Sequence, residues 1–492
     1  MRLALRQILQ RRGAVLIIVL WGLVAMSIIL TNFAVLVRTH LRLAANFAED
    51  SELTRIAEAG IETAIIILKN ADTSAATNAP DLWADDEEEL KEIAVGDGKF
   101  SLVRYRTTGE VTDTIFGLED EAAKLNLRTA TKEELQALPR MKPEMVDALI
   151  DWRDEDSNAQ PQGAEAEYYA GLKPPYATKN RQLDTVEELL LVKGFDASVL
   201  YGEDWNHNGM LDPNEKDGKN SLPPDDENAV LDRGLLPYLT VYSEDQEKSA
   251  SKAPRTDINS AEANALKAGI QGLTDDEAKA IVAYRDAQKF ENLGDLLKVT
   301  KAQEKPVGKD DKKPAEEKKD TASEAAHNSG SSSSAGRRGS RKRGEKKAEV
   351  KKDETPAAST GEKIFTKDRL KQIIDSCKIG SEETKAGRIN INTAPAPVLR
   401  TLPKVTQEIA DAIVDAREKQ KKKFANIAEL LDIPGVTEEI FTGLSNKVTV
   451  RAYQFRADSR ATLQNVTARE RIVAVLDRSG PAVKIRYWNE SK

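Results

Sequence analysis

The stretch that decides the reading of this chain is Arg11-Arg12-Gly13-Ala14-Val15-Leu16-Ile17-Ile18-Val19-Leu20-Trp21, with Arg2 and Arg6 behind it. From Ala14 to Val37 there is no charged residue, and about 20 apolar residues in a helix suffice to cross a bilayer. The basic flank predicts a cytoplasmic N-terminus, with everything after the apolar run on the far side. A cleaved secretory signal also begins basic and turns apolar, but its core is usually ~7–15 residues and closes on a small-residue site. Here the run is longer and no clear A-x-A site ends it. Further on, Leu41, Ala45, Ala48, Ile56, Ala59, Ala64 and Leu68 recur at roughly helical spacing with charges between them. That pattern predicts an amphipathic continuation of the same helix to about Lys69.

The chain has 492 residues and a net charge of −8, enough length for two or three domains, each with its own core. The acidic balance repels nucleic acid overall. Cys377 is the only cysteine, so a head facing an oxidising compartment contains no internal disulfide. His40, His207 and His327 are scattered. They leave little for a histidine metal site or a catalytic triad, and no nucleophile elbow, phosphate loop or zinc spacing occurs, so an enzyme is not expected.

The body of the chain repeats itself. Asn126-Leu-Arg-Thr-Ala130, Asp257-Ile-Asn-Ser-Ala261 and Asn390-Ile-Asn-Thr-Ala394 open three similar units. Each has a leucine five residues past its alanine (Leu135, Leu266, Leu399), an apolar helix ending in arginine (Arg153, Arg285, Arg417), and a closing Leu-Leu pair at 189–190, 296–297 and 430–431. Thr131-x-x-Glu134, Thr185-x-x-Glu188 and Thr274-x-x-Glu277 read as capping boxes at helix starts. These are small modules of helix-hairpin-helix or SAM-like type. Such modules can hold backbone phosphate on glycine amides at a helix N-terminus. Here the hairpins Arg140-Met-Lys-Pro-Glu144, Gly272-Leu-Thr-Asp-Asp276 and Lys404-Val-Thr-Gln-Glu408 put carboxylates where phosphate would sit, which favours a packing platform over DNA binding. Lys99–Arg106, Lys447–Tyr453, Ile472–Leu476 and Val483–Trp488 have strand patterns, with Ser479-Gly480-Pro481 as the last turn. The early strand can pair with the late ones, making the modules an insertion into one sheet. Residues 300–363, rich in Lys, Glu, Ser, Gly and Pro and including the basic cluster Arg337–Arg343, read as a disordered charged linker.

The sharpest chemical motif is Asp204-Trp-Asn206-His-Asn208-Gly209-Met210-Leu-Asp212-Pro-Asn-Glu215. An EF-hand-type loop supplies oxygens from positions one, three, five, seven, nine and twelve, with glycine at six. The corresponding donors are Asp204, Asn206, Asn208, the Met210 carbonyl, Asp212 and Glu215. Calcium in a structural role is the expected cofactor, and His207 is expected to point outward, since hard cations do not favour imidazole. A second candidate, Asp154 and Asp156 with Glu165, is either another oxygen site or a solvated acidic loop.

Several ordered blocks carry a family resemblance: Ala57-Glu58-Ala59-Gly60, Gly117–Ala122, Lys124-Leu-Asn126-Leu, Asp151–Asp156, Gly163-Ala-Glu165 through Tyr168-Tyr169, Pro174-Pro175-Tyr176, Lys179-Asn180 and Glu187–Leu191. Together with the leader they resemble the K component of type II secretion, a large minor pseudopilin. The resemblance implies an α+β fold. A long N-terminal pilin-like helix would pack on a small antiparallel sheet interrupted by a large all-helical insertion. The implied divisions are a prepilin leader (1–13), the pilin helix (14–70) and the first part of the sheet region (71–123). Helical module 1 with the calcium loop (124–245), module 2 (255–299), the linker (300–363), module 3 (364–443) and the C-terminal strands (444–492) follow. It further implies processing by prepilin peptidase between Gly13 and Ala14 and a single-pass protein in inner-membrane lipid with a periplasmic head. Its partners would be the I and J minor pseudopilins at the pseudopilus tip, with no nucleic acid. Pilins usually carry a glutamate at the fifth mature position, here Ile18, and a carboxylate in hydrocarbon is costly unless paired. Its loss fits a subunit with no neighbour ahead of it. The readings left beside this one are a membrane-anchored DNA-binding or uptake protein and a minor pilin of a related type IV system.

Overall fold

The computed structural model describes residues 2–71, 86–108, 111–301, 362–418, 423–464 and 469–491. A single helix, α1, runs Arg2–Asn70 without a break at Gly13 or Ala14, a rod of about 100 Å at 1.5 Å per residue. Its apolar stretch is long and hydrophobic enough to cross a membrane and has no protein packed over it. Among the described residues, only the last third meets the rest of the chain. Leu53, Ile56, Ala57, Ile61, Ala64 and Leu68 are buried against a sheet, in one core with Phe100, Leu102, Phe455, Ala457, Ala461, Ile472, Ala474 and Leu476. Gly60 marks the closest approach: a Cβ there would stand 2.1 Å from the Ser459 hydroxyl and 2.9 Å from the Phe100 ring. Leu41 is exposed, like every residue from 41 to 48, because the sheet does not extend that far along the rod.

The sheet joins the two ends of the head. Strands β1 (Ile93–Val95), β2 (Gly98–Thr108), β3 (Val111–Phe116) and β4 (Glu119–Asp120) precede the helical region, and β5 (Gln454–Leu463), β6 (Arg469–Asp477) and β7 (Lys484–Ser491) follow it. Among the described residues they form one seven-stranded sheet in the order β1-β2-β5-β6-β7, with β3 on β2 and β4 on β5. Leu102 faces Ser459 and Phe100 faces Ala461 in antiparallel register, so everything between Asp120 and Gln454 is an insertion into the sheet. The strand expected over 447–453 is displaced. Val448–Thr449 instead pairs in parallel with Ile389–Asn390, and Val448 and Val450 are buried in the helical core.

The three repeats are three turns on one plan. Each opening tripeptide makes a short parallel pairing with its module's far end: Leu125–Asn126 with Leu239–Thr240, Thr256–Asp257 with Cys377–Lys378, and Ile389–Asn390 with Val448–Thr449. The leading Asn126, Asp257 and Asn390 each accept the amide two residues on, at 2.9, 3.1 and 3.0 Å, an Asx turn that bends the chain toward the first helix. The arginine closing each second helix returns to that turn. Arg153 donates to the carbonyls of Leu127 and Ala130, Arg285 to those of Ile258 and Ala261, and Arg417 to those of Ile391 and Ala394. All three modules share one hydrophobic core, separate from the core beneath α1.

This arrangement moves two expected boundaries. Lys367–Ile373 takes the place in module 2 that Ala197–Tyr201 and Glu438–Leu444 take in modules 1 and 3, and Cys377 pairs back onto Thr256. Residues 364–378 therefore complete module 2 instead of opening module 3. The segment read as a linker enters and leaves at one hairpin, where Thr300 pairs with Lys363, the Ile364 amide reaches Val299 at 3.0 Å and the Lys301 amide reaches Glu362 at 3.0 Å. Residues 302–361 themselves, with the basic cluster, lie outside the described residues.

Candidate metal centres

Module 1 carries both expected cation loops. The first leaves the helix Pro143–Arg153 at Asp154 and returns at Glu165, the N-cap of Ala166–Ala170. Buried Asp151 closes it by accepting the amides of Gln160 at 3.0 Å and Ala164 at 2.7 Å. Lys193 braces the far side through the Gly163 carbonyl at 2.9 Å. Gly163 is obligatory here, since a Cβ would lie 1.8 Å from an Asp151 oxygen. The loop so folded brings carboxylate oxygens of Asp154, Asp156 and Glu165 within 4.8 Å of one another.

Asp156 Oδ1 accepts the Asn158 amide at 2.7 Å, but several oxygens beside it lack partners. Asp154 Oδ1, both Glu165 carboxylate oxygens and Asn180 Oδ1 are buried without a hydrogen bond, while the Asn180 amide is anchored on the Asp156 carbonyl at 2.8 Å. Burial, and then the neighbouring carboxylates, push Asp154 and Glu165 above the usual carboxylate range. Like charges gathered out of water with open oxygens are costly unless a cation joins them. The donor set is oxygen only, which suits a hard divalent ion. Asn180 is a donor that spacing alone did not single out. It lies 24 residues beyond Asp156, and only the fold of the 171–185 segment brings it back.

The second loop has the expected internal form. Both Asp204 oxygens accept the Gly209 amide, at 3.2 and 3.1 Å, and Gly209 takes φ +65°, the left-handed turn that glycine enters without strain. Asn206 Oδ1 accepts the Asn208 amide at 2.9 Å and Asn208 Oδ1 the Met210 amide at 2.6 Å. Asp212 Oδ2 gathers the side-chain amides of Asn206 at 2.8 Å and Asn208 at 2.7 Å. Glu215 turns back to the Asp212 amide at 2.9 Å and keeps Oε1 buried and unpartnered. Burial raises the Glu215 pKa, with Asp204, Asp212 and Glu203 adding to it. The donors here are oxygens that suit a hard cation by type, but Asp204, Asp212 and Glu215 are not drawn within 4.8 Å of one another as Asp154, Asp156 and Glu165 are. His207 does not point outward: its ring lies 4.3 Å from that of Tyr201 with Nε2 enclosed, and burial holds its pKa below the usual value.

With the geometry in place, comparison with known proteins is informative. The profile of "Type II secretion system (T2SS), protein K" matches residues 117–201, the part holding the first cation loop. A helix-hairpin-helix profile matches 251–307 and 384–449, the second and third modules. Type II secretion system protein K of Klebsiella pneumoniae is 30% identical over 153 residues, covering 28% of this chain and 45% of that protein. The protein K of Aeromonas hydrophila is 40% identical over 57 residues, covering 11% of this chain and 17% of that one. The alignments thus span less than half the length of these relatives. The crystal structure of the GspK-GspI-GspJ complex from enterotoxigenic Escherichia coli aligns at a TM-score of 0.41 and 11% identity, over 91% of this chain and 99% of that one.

A membrane-length helix laid on an antiparallel sheet, with helix-hairpin-helix modules spliced into that sheet, defines a pilin-type chain carrying a helical head. Within that class, the chain is similar to protein K of type II secretion systems, over residues 117–201 by family model and over 153 residues of the Klebsiella pneumoniae protein.

Proposed function

We propose that this chain is a non-enzymatic minor pseudopilin that works at the tip of a type II secretion pseudopilus together with the I and J minor pseudopilins. The observation that carries the reading is the splice itself. A pilin-type helix and sheet, the parts that pack along a filament, carry between β4 and β5 a head of three fused modules. A body of that bulk at the front of a filament blocks addition above it, and Ile18, without the carboxylate that would meet a neighbour's terminal amine, needs no subunit ahead. On this reading prepilin peptidase cuts between Gly13 and Ala14, α1 stays in inner-membrane lipid with its N-terminus cytoplasmic, and the head lies in the periplasm. Asp154, Asp156, Glu165 and Asn180 hold one calcium ion. Asp204, Asn206, Asn208, Met210, Asp212 and Glu215 hold another. Bound calcium supplies charge neutralisation that fixes two loops of module 1 and activates no water.

The test is mass spectrometry of the membrane-purified N-terminus joined with recovery of the I and J pseudopilins from crosslinked membranes. A chain starting at Ala14 that brings down both partners supports the proposal. A start at Met1 removes the pseudopilin mechanism, and a start beyond Val37 replaces it with a secreted protein. A start at Ala14 with type IV pilus subunits recovered instead moves the chain to that system.

A further inference from the structure

We infer that Tyr105 and Arg460, two side chains of the sheet, position the 204–215 loop for its cation, so that the affinity of the site in the helical head is set in part by the sheet beneath it. This rests on the metal reading of that loop. The loop belongs to module 1, yet its reversal is gripped from outside the module. The carbonyl of Asn208 receives the Tyr105 hydroxyl and Arg460 Nη1, the latter at 2.9 Å, and Arg460 Nη2 reaches the His207 carbonyl at 3.5 Å. Gly209 lies flat on the Tyr105 ring, where a Cβ would come within 2.0 Å of ring carbons. Arg233 covers the ring at 4.2 Å from its centroid, with Nε 3.3 Å from Asp204 Oδ2 at the first loop position. Arg460 in turn is held by Asp458 at 3.0 Å, which also binds Arg471 at 2.9 Å.

Positions four to six are where the loop reverses so that donors before the turn and donors after it converge. A loose turn must be ordered at the moment of binding, and that entropy is subtracted from affinity. A turn already pinned by an arginine and a tyrosine on rigid strands avoids this cost. By linkage, whatever factor docking adds to cation affinity, the cation adds to docking of the head on the sheet.

The experiment is calcium titration calorimetry on the full-length protein in detergent, in a Glu165→Gln background that silences the other loop. The variants are Tyr105→Phe, which removes only the hydroxyl, Arg460→Gln and Arg460→Lys. Outer-shell groups of this kind are worth about 10- to 100-fold in metal affinity. Tyr105→Phe and Arg460→Gln are expected to weaken binding by at least the lower figure, and Arg460→Lys to recover part of the loss. Hydrogen exchange in the 204–215 amides should rise in the same order. Tight binding in the parent with unchanged affinity in all three variants overturns the inference and leaves the metal reading standing. No binding by the parent at millimolar calcium overturns both.

Discussion

Glu165 and Asp154 bring buried carboxylate oxygens without hydrogen-bond partners close to a third acid, and that sets the expected effect of a cation and of its removal. A ligand at a hundred times its Kd stabilises the folded state by about 2.7 kcal/mol per site. Chelation is therefore expected to lower the melting temperature of the head, and calcium to restore it, with magnesium a poor substitute. Glu165→Gln should melt higher than the parent in chelator, because one repelling charge is gone, yet gain less from calcium. A melting curve that is the same with and without chelator, with removal of the metal verified, would count against a structural ion. Gly163→Ala is a test of the cradle: its methyl group collides with Asp151, and overpacking of this kind costs about 1–3 kcal/mol.

At the scale of elements, α1 and the sheet meet through an apolar core with Gly60 at a close approach, and the modules meet the sheet through charges. Gly60→Val should loosen the helix from β5 by about 1–3 kcal/mol, read as faster hydrogen exchange in β5. The sheet–module joint holds two adjacent acids with opposite titrations. Arg456 at 2.7 Å and Lys124 outweigh the burial of Glu121 and take its pKa down to about 2. The stability it contributes is present above the unfolded value near 4.5 and is lost as pH falls through 2. Burial raises Asp120 to about 6, despite bonds from Thr393 and Asn390. Its contribution is complete below about 3.8 and is lost as pH rises through 6. Thermal melts against pH should show both limbs, with Glu121→Gln flattening the acid side. A curve unchanged by that substitution would show the ion pair to be irrelevant to stability.

For the molecule as a whole, two cores are joined by a polar seam. The larger core is shared by all three modules, and Arg255, Arg388 and Arg451 bind Asp245, Glu247 and Asp375. Removing Arg451 leaves Asp375 to Arg255 alone, so Arg451→Leu should cost about 1.5–3 kcal/mol in a chemical melt, the scale of a hydrogen bond to a charged group. The neck at Val299–Lys301 and Glu362–Ile364 is already closed by backbone bonds. Replacing 302–361 by a short glycine turn should therefore leave the melting temperature of the head within a few degrees, since loop-closure entropy varies only slowly with length. A large fall would mean that the insertion packs on the head.

The long helix, the capping boxes at Thr131 and Thr274, the threefold repeat and the reversal of the 204–215 loop at Gly209 were all legible along the chain. Each rests on neighbours within a turn or a loop, where periodicity and spacing carry the physics. Tertiary structure alone decided which module residues 364–378 complete, why Leu41 is exposed while Leu53 is buried, where His207 points, and that Asn180 is anchored on the Asp156 carbonyl. It also placed Tyr105 and Arg460 under the 204–215 loop. These outcomes depend on groups brought together across tens to hundreds of residues, by the shared core and by the pairing of β2 with β5, and local sequence does not encode such distances.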